Sequence, residues 1–174
     1  MVGGGYSRVR EAAWRGLTLS GATRPDEIDP VRVAKALDID VVEGGIAGAA
    51  ERITMFGGRA RIRVTDQIVL LGRRQFTIAH AIGHHAAKHV VTSNADVEGW
   101  IELACSGRTK RDEREADVYA RELLTPAHWV RAYCDVMRID LDGVNAIASM
   151  FRVSPVMAAM RLVELSPRAC AVVY

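Results

Sequence analysis

Apolar residues return at helical spacing between Ser7 and Leu19, at Val9, Ala12, Ala13, Gly16 and Leu17, and predict a first helix. A break runs from Gly21 to Pro25. Asp29-Pro30 then reads as an N-cap followed by proline at the first helical position, opening a helix to about Leu37. Val41-Val42 predicts a short strand, and the Gly/Ala-rich stretch from Gly44 to Ala50 carries no assignable period. The β-rich runs Arg52 to Phe56 and Arg59 to Val64 flank Gly57-Gly58, a two-residue hairpin signal. Ile68 to Leu71 fits a short apolar strand or the lead-in to the next helix. From Arg73 to His89 the pattern is helical, with Phe76, Ile78, Ala79, Ile82 and Ala86 as its buried stripe.

Residues 92–109, rich in Ser, Asn, Gly and Thr, predict a loop with one helical turn around Trp100 to Leu103. Lys110 to Leu124 is a helix stopped by Thr125-Pro126, and the proline opens another through about Met137. Val144 to Phe151 and Pro155 to Leu165 make two short helices, the second capped by Ser154. The tail from Ala169 to Tyr174 is β-like. Runs of helix around few, short strands predict an α+β fold, with residues 1–138 as the main domain and 139–174 as a C-terminal helical segment packed on it.

Composition narrows the class without naming a function. The chain has 174 residues, 49% hydrophobic and 25% charged, which suits one globular domain. Its longest stretch without Asp, Glu, Lys or Arg, Gln75 to Ala87, is too short and too rich in histidine for a membrane span. The start lacks the basic-then-apolar layout of a secretory signal, so the expected location is the cytoplasm. Cys105, Cys134 and Cys170 form no CxxC pair and read as reduced thiols. A net charge of +2 is too balanced for a protein that coats nucleic acid. The local exception is Arg59, Arg61, Arg63, Arg73 and Arg74; the first three alternate, as the solvent face of a strand would.

Of the five histidines, four (His80, His84, His85 and His89) fall together. His80 and His84 stand one helical turn apart on one face, close enough to share a metal ion, although such a pair alone more often marks surface or core histidines. His85 points away from that face and reads as structural, and His89 as a cation near the helix end. Glu113 and Asp117 likewise share a face of the later helix. The alternative for Asp112, Glu113, Glu115 and Glu122 is a solvated helix surface, to which Glu115 and Glu122 are assigned. His128, Tyr119 and Tyr133 read as packing, and the final helix pair as packing or partner docking, with Arg152 and Arg161 its only exposed cations.

The run Gln75-Phe76-Thr77-Ile78-Ala79-His80-Ala81-Ile82-Gly83-His84-His85 resembles the FTxAHExGHH helix of the ImmA/IrrE family of zinc metallopeptidases. Glu113 to Pro126 resembles that family's Glu-x-Glu-Ala helix ending in Leu-Leu-Met-Pro, with Tyr119 for its Phe and Thr125 for its Met. Ile147 to Ser154 and Met157 to Leu162 resemble its closing segment, and Ile28 to Val41 its opening helix-then-strand pattern. The resemblance implies a small zincin-like domain with a short antiparallel sheet on a mostly helical body and a helix-turn-helix-like C-terminal part. It implies zinc (or manganese) held by His80, His84 and Glu113, with Asp117 accepting the second ring N–H of a histidine. It also implies a protein substrate, usually a helix-turn-helix repressor whose cleavage derepresses mobile-element or stress-response genes; it points to no direct nucleic-acid contact and leaves the oligomeric state open.

Ala81 stands where the family has the glutamate that serves as general base. Loss of a positioned base costs about 10²–10⁴-fold, whereas the ligands do not depend on it. The expectation is therefore a chain that binds metal and substrate but cuts poorly or not at all. Retention of Asp117, which serves only the metal, favours a deliberate Glu→Ala exchange over natural loss. The alternative is a non-catalytic pseudopeptidase that sequesters a regulator or toxin; a DNA-binding role for the final helices is disfavoured by the charge balance. The hairpin from Arg52 to Val64 is expected to offer a sheet edge, with its arginines, to the substrate.

Overall fold

A computed structural model describes residues 6–46, 48–56, 59–89, 93–95, 101–103, 109–136, 138–168 and 170–171. In chain order these form α1 (Ser7–Ser20), a 3₁₀ turn at Pro25–Glu27, α2 (Pro30–Ala36), β1 (Ile39–Glu43), β2 (Glu51–Phe56), β3 (Arg59–Val64) and α3 (Leu71–Ala86). There follow β4 (Ser93–Ala95), β5 (Ile101–Leu103), α4 (Lys110–Leu124), α5 (Ala127–Cys134), α6 (Leu141–Phe151) and α7 (Pro155–Leu165). The class is α+β, a small sheet on a mostly helical body.

Local chemistry sets most of the helix ends. The Asp29 carboxylate accepts from the Val31 N–H at 2.9 Å, and Pro30 follows with its φ already suited to a helix. Thr109 and Asp112 close a reciprocal capping box on α4, and Ser154 caps α7 by accepting from the Met157 N–H at 3.2 Å. Asp140 starts α6 at Leu141, earlier than the apolar period alone predicts, because its side chain accepts from the Gly143 N–H at 3.0 Å. The residues from Ile68 to Leu70 prove to be the lead-in to α3. Half-buried Ile68 anchors it to the core while Val69, Leu70 and Leu71 stay exposed.

The sheet order is β1-β3-β2-β5-β4. β2 and β3 form the expected antiparallel hairpin, with Glu51 opposite Val64, although Gly57 and Gly58 lie outside the described residues. β1 joins β3 in parallel, so the sheet is mixed. Two expectations fail here. The helical turn around Trp100 to Leu103 is instead β5, whose backbone pairs with β2, Met55 facing Ile101; Trp100 itself lies outside the described residues. Both sides of the hairpin are therefore paired, β3 along β1 and β2 with β5 at Ile53 to Met55, which leaves little edge for a substrate. Along β3, Ala60, Ile62 and Val64 face the core while Arg59, Arg61 and Arg63 alternate outward. Arg59 pairs with Asp38 at 3.1 Å and Arg61 with Asp40 at 3.5 Å, so two of the three β3 arginines are engaged by β1 and the residue before it.

The helical body contradicts the solvated reading of Glu122 and the exposed reading of Arg161. Both are buried, at 5% and 2% relative exposure, and form an ion pair. Glu122 also accepts from the Ala127 N–H at 3.0 Å, and Arg161 donates to the Thr125 carbonyl at 2.9 Å, so α4, α5 and α7 are pinned at one buried point. Arg152 donates to the Ile28 carbonyl at 2.7 Å. In the tail, 170–171 are not in a strand, while 169 and 172–174 lie outside the described residues, as does Cys105. Among the described residues no single helix is long and apolar enough to cross a membrane.

α3 and α4 are in close contact at Gly83. A methyl group there would lie 2.9 Å from the Tyr119 Cβ and 3.0 Å from the Ala116 backbone, so backbone meets backbone at that level. Gly83→Ala sets a helix-propensity gain of about 1 kcal/mol against overpacking of about 1–3 kcal/mol. The expected outcome is a net loss of stability in urea denaturation.

Candidate metal centre

Four side chains meet across that helix contact. His80 and His84 come from α3, and Glu113 and Asp117 from α4. The two histidine Nε2 atoms are 2.9 Å apart. Glu113 Oε2 lies 3.2 Å from His80 Nε2, and its Oε1 lies 3.5 Å from His84 Nε2. Ligands on one tetrahedral zinc at 2.0–2.1 Å stand roughly 3.3 Å from one another. The three separations bracket that value, and a donor set of two imidazoles and a carboxylate suits such an ion, so the residues fit a divalent metal.

The outer hydrogen bonds explain why both Nε2 atoms point inward. His80 Nδ1 donates to Asp117 Oδ1 at 3.0 Å, which leaves the Nε2 lone pair directed at the centre. His84 is oriented by a longer chain. His89 Nε2 donates to Glu115 Oε2 at 3.1 Å, so its Nδ1 accepts from His84 Nδ1 at 3.0 Å. The tautomers follow from that chain of partners. His89 is thus a buried link, and Glu115, read from sequence as solvent-facing, anchors it; Asp112 stands 3.6 Å away.

The electrostatics agree. Burial alone would lower the pKa of His80, but the Asp117 hydrogen bond and the charges of Glu51, Asp117 and Glu113 outweigh it, and the net direction is upward. The His89 hydrogen bond holds the Glu115 carboxyl below its usual range. His85 sits off the metal-facing side, half-buried, with its pKa pushed down by burial.

Ala81 is fully buried and belongs to the apolar core, so position 81 brings no acid to the centre. One carboxylate that sequence reasoning missed does arrive. Glu51, the first residue of β2, offers an oxygen that lies, with a ring nitrogen from each of His80 and His84, in a group whose members are all within 4.8 Å of one another. No local pattern marks it, because only strand register carries it there. Of the remaining candidates, Tyr119 is fully buried and Tyr133 meets Phe151 edge-on, whereas His128 is exposed, with its ring 4.3 Å from that of Trp14.

Two hollows adjoin the centre. A recess of about 310 Å³ opens directly onto it, lined by Ala49, Ala50, Glu51, Phe76, Thr77, His80 and Glu113. A mainly apolar groove of about 500 Å³ begins at Phe76 and Asp117 and runs between the start of α3 and α7, past Leu70, Val156, Met157 and Met160, with Arg73 and Arg121 beside it.

A peptidase family model described as the IrrE N-terminal-like domain matches residues 34–163. No curated protein matches the chain. Among solved structures, a Mycobacterium tuberculosis transcriptional regulator superposes with a TM-score of 0.56 at 20% identity, covering 90% of this chain and 47% of that one. That likeness shows a shared fold, and the chain spans about half the length of its solved relative.

Asp117→Asn keeps the size of the side chain but weakens its hold on the His80 ring. Zinc affinity is expected to fall about 10–100-fold with little change in melting temperature of the metal-free protein, as read by chelator competition and differential scanning calorimetry.

Proposed function

This chain belongs to the peptidase family of the IrrE N-terminal-like domain, and on that premise we propose a zinc-dependent, site-specific endopeptidase centre directed at a helix-turn-helix transcriptional repressor. Its hydrolytic step is silenced by Ala81. The observation that carries this reading is the convergence of His80, His84 and Glu113 at mutual distances suited to one metal ion, with no acid on the helix at position 81.

Bound zinc, or manganese in its place, supplies a polarised substrate carbonyl and an acidified water. The protein's own residues do the rest. His80 and His84 present their Nε2 atoms because Asp117 and the pair His89–Glu115 occupy the opposite ring nitrogens. Hydrolysis also requires a group to take a proton from the attacking water and return it to the leaving nitrogen, and the Ala81 methyl can do neither. Removal of the repressor by an active form would release mobile-element or stress-response genes.

A different surface now suits the substrate. The hairpin offers little free edge, whereas the groove between α3 and α7 is apolar, reaches the centre through Phe76, and is flanked by exposed Val69, Leu70 and Leu71. An apolar segment of the protein substrate fits it, with acidic flanks toward Arg73 and Arg121. The second reading, a pseudopeptidase that holds a regulator or toxin without cutting it, is favoured by the full burial of Ala81 beside otherwise intact metal-binding chemistry.

Ala81→Glu separates the two readings. Incubated with zinc and the cognate repressor, the variant is expected to cleave at one site about 10²–10⁴-fold faster than the parent, followed by electrophoresis and mass spectrometry. Capture of the intact repressor by both proteins without cleavage favours the pseudopeptidase. Met160→Lys places a charge in the groove, where the side chain is 48% exposed. It is expected to weaken repressor capture about tenfold or more in a pull-down titration while zinc affinity stays unchanged; unaltered capture would assign the substrate to another surface.

A further inference from the structure

Glu51 reaches the centre from the sheet, outside either helical motif. It opens β2 opposite Val64 and is 8% exposed. The backbone just before it is fixed, since Thr65 N donates to the Ala50 carbonyl at 3.0 Å. Its carboxylate oxygen and the His80 and His84 nitrogens fall in one group spanning no more than 4.8 Å; Glu113, outside that group, lies 3.2 Å from His80 and 3.5 Å from His84.

Glu51 and Glu113 together line the recess beside His80. Two carboxylates with two imidazoles form a donor set that suits a divalent ion.

We propose that Glu51 is a fourth protein ligand, closing the centre as His80, His84, Glu113 and Glu51. The assignment rests on the reading of the other three as metal ligands. Closed four-ligand shells characterise structural zinc, whereas hydrolytic sites keep one position open for water. Closure turns the ion into a clasp joining β2 to α3 and α4. It also matches an alanine at position 81, because a water displaced by Glu51 needs no proton acceptor on the helix; cleavage by Ala81→Glu then requires Glu51 to leave the metal.

The test compares the full chain with Glu51→Gln and Glu51→Ala after loading with Co²⁺, using chelator competition and visible absorption, with circular dichroism to verify the fold. Both variants are expected to lose at least about 10–100-fold in metal affinity, the range already carried by outer-shell partners, and to change the cobalt spectrum. Azide is expected to leave the spectrum of the parent chain unchanged and to alter that of Glu51→Ala, where a position has opened. Equal affinities and spectra overturn the assignment, as does an azide response in the parent, which would leave Glu51 free of the metal as a proton acceptor. If the variants fail to fold, the parent's azide response decides alone. A parent chain that binds neither cobalt nor zinc overturns the underlying ligand reading; a parent that binds them, with unaffected variants, overturns only the role of Glu51.

Discussion

The centre depends on how near α3 and α4 can come. Gly83 lies between His80 and His84 on one helix, and Ala116 between Glu113 and Asp117 on the other. Small residues at that level let the two backbones touch, and the longer functional side chains on either side then meet across the gap. Tyr119 fixes the arrangement from behind. It packs against Gly83, and its hydroxyl lies close to Gly16 of α1, where a Cβ would stand 3.1 Å away. Three helices therefore share one constraint, and the separations of 2.9–3.5 Å among the donor atoms are its consequence.

The parts legible in the sequence are those whose causes are local. Asp29-Pro30, Thr109 with Asp112, and Ser154-Pro155 start helices through hydrogen bonds two or three residues long, so composition reveals them. His80 with His84, and Glu113 with Asp117, are legible for the same reason, since a four-residue spacing places each pair on one helical face. Ile101 to Leu103 misled because too few residues lie there to show a period; their strand exists through pairing with β2. Glu122 and Arg161 misled in the opposite sense. Each looks solvent-facing by residue type, and their pairing across 39 positions, with backbone partners at Ala127 and Thr125, makes burial tolerable.

His89 shows how a backbone turn can create a site residue that helical spacing does not predict. Five residues after His84, it would point elsewhere on a continuing helix. Instead α3 ends at Ala86, Lys88 takes a left-handed φ of 56°, and the His89 N–H returns to the His84 carbonyl at 3.0 Å. The ring is thereby folded back onto His84 and toward Glu115. Both ring nitrogens that face the centre are thus controlled from α4, one directly through Asp117 and one through His89 and Glu115. Misplacing α4 disturbs the tautomers as well as the third donor.

Exchanging a carboxylate on the helix for one on the sheet changes what holds the centre together. An acid at position 81 would be carried by α3 alone and would move with His80. Glu51 is placed by the register of β2 on β3, where a slip of one residue would turn its side chain to the opposite face. The sheet and the helix pair then cease to be independent. Metal bound by both stabilises the register that delivers Glu51, and the register raises affinity for the metal, because each lowers the cost of ordering the other. A hydrolytic site gains little from such coupling, since its fourth position must exchange water and substrate. A centre whose value lies in holding a surface in one shape gains directly, and the groove beginning at Phe76 shares that residue with the recess where Glu51 stands.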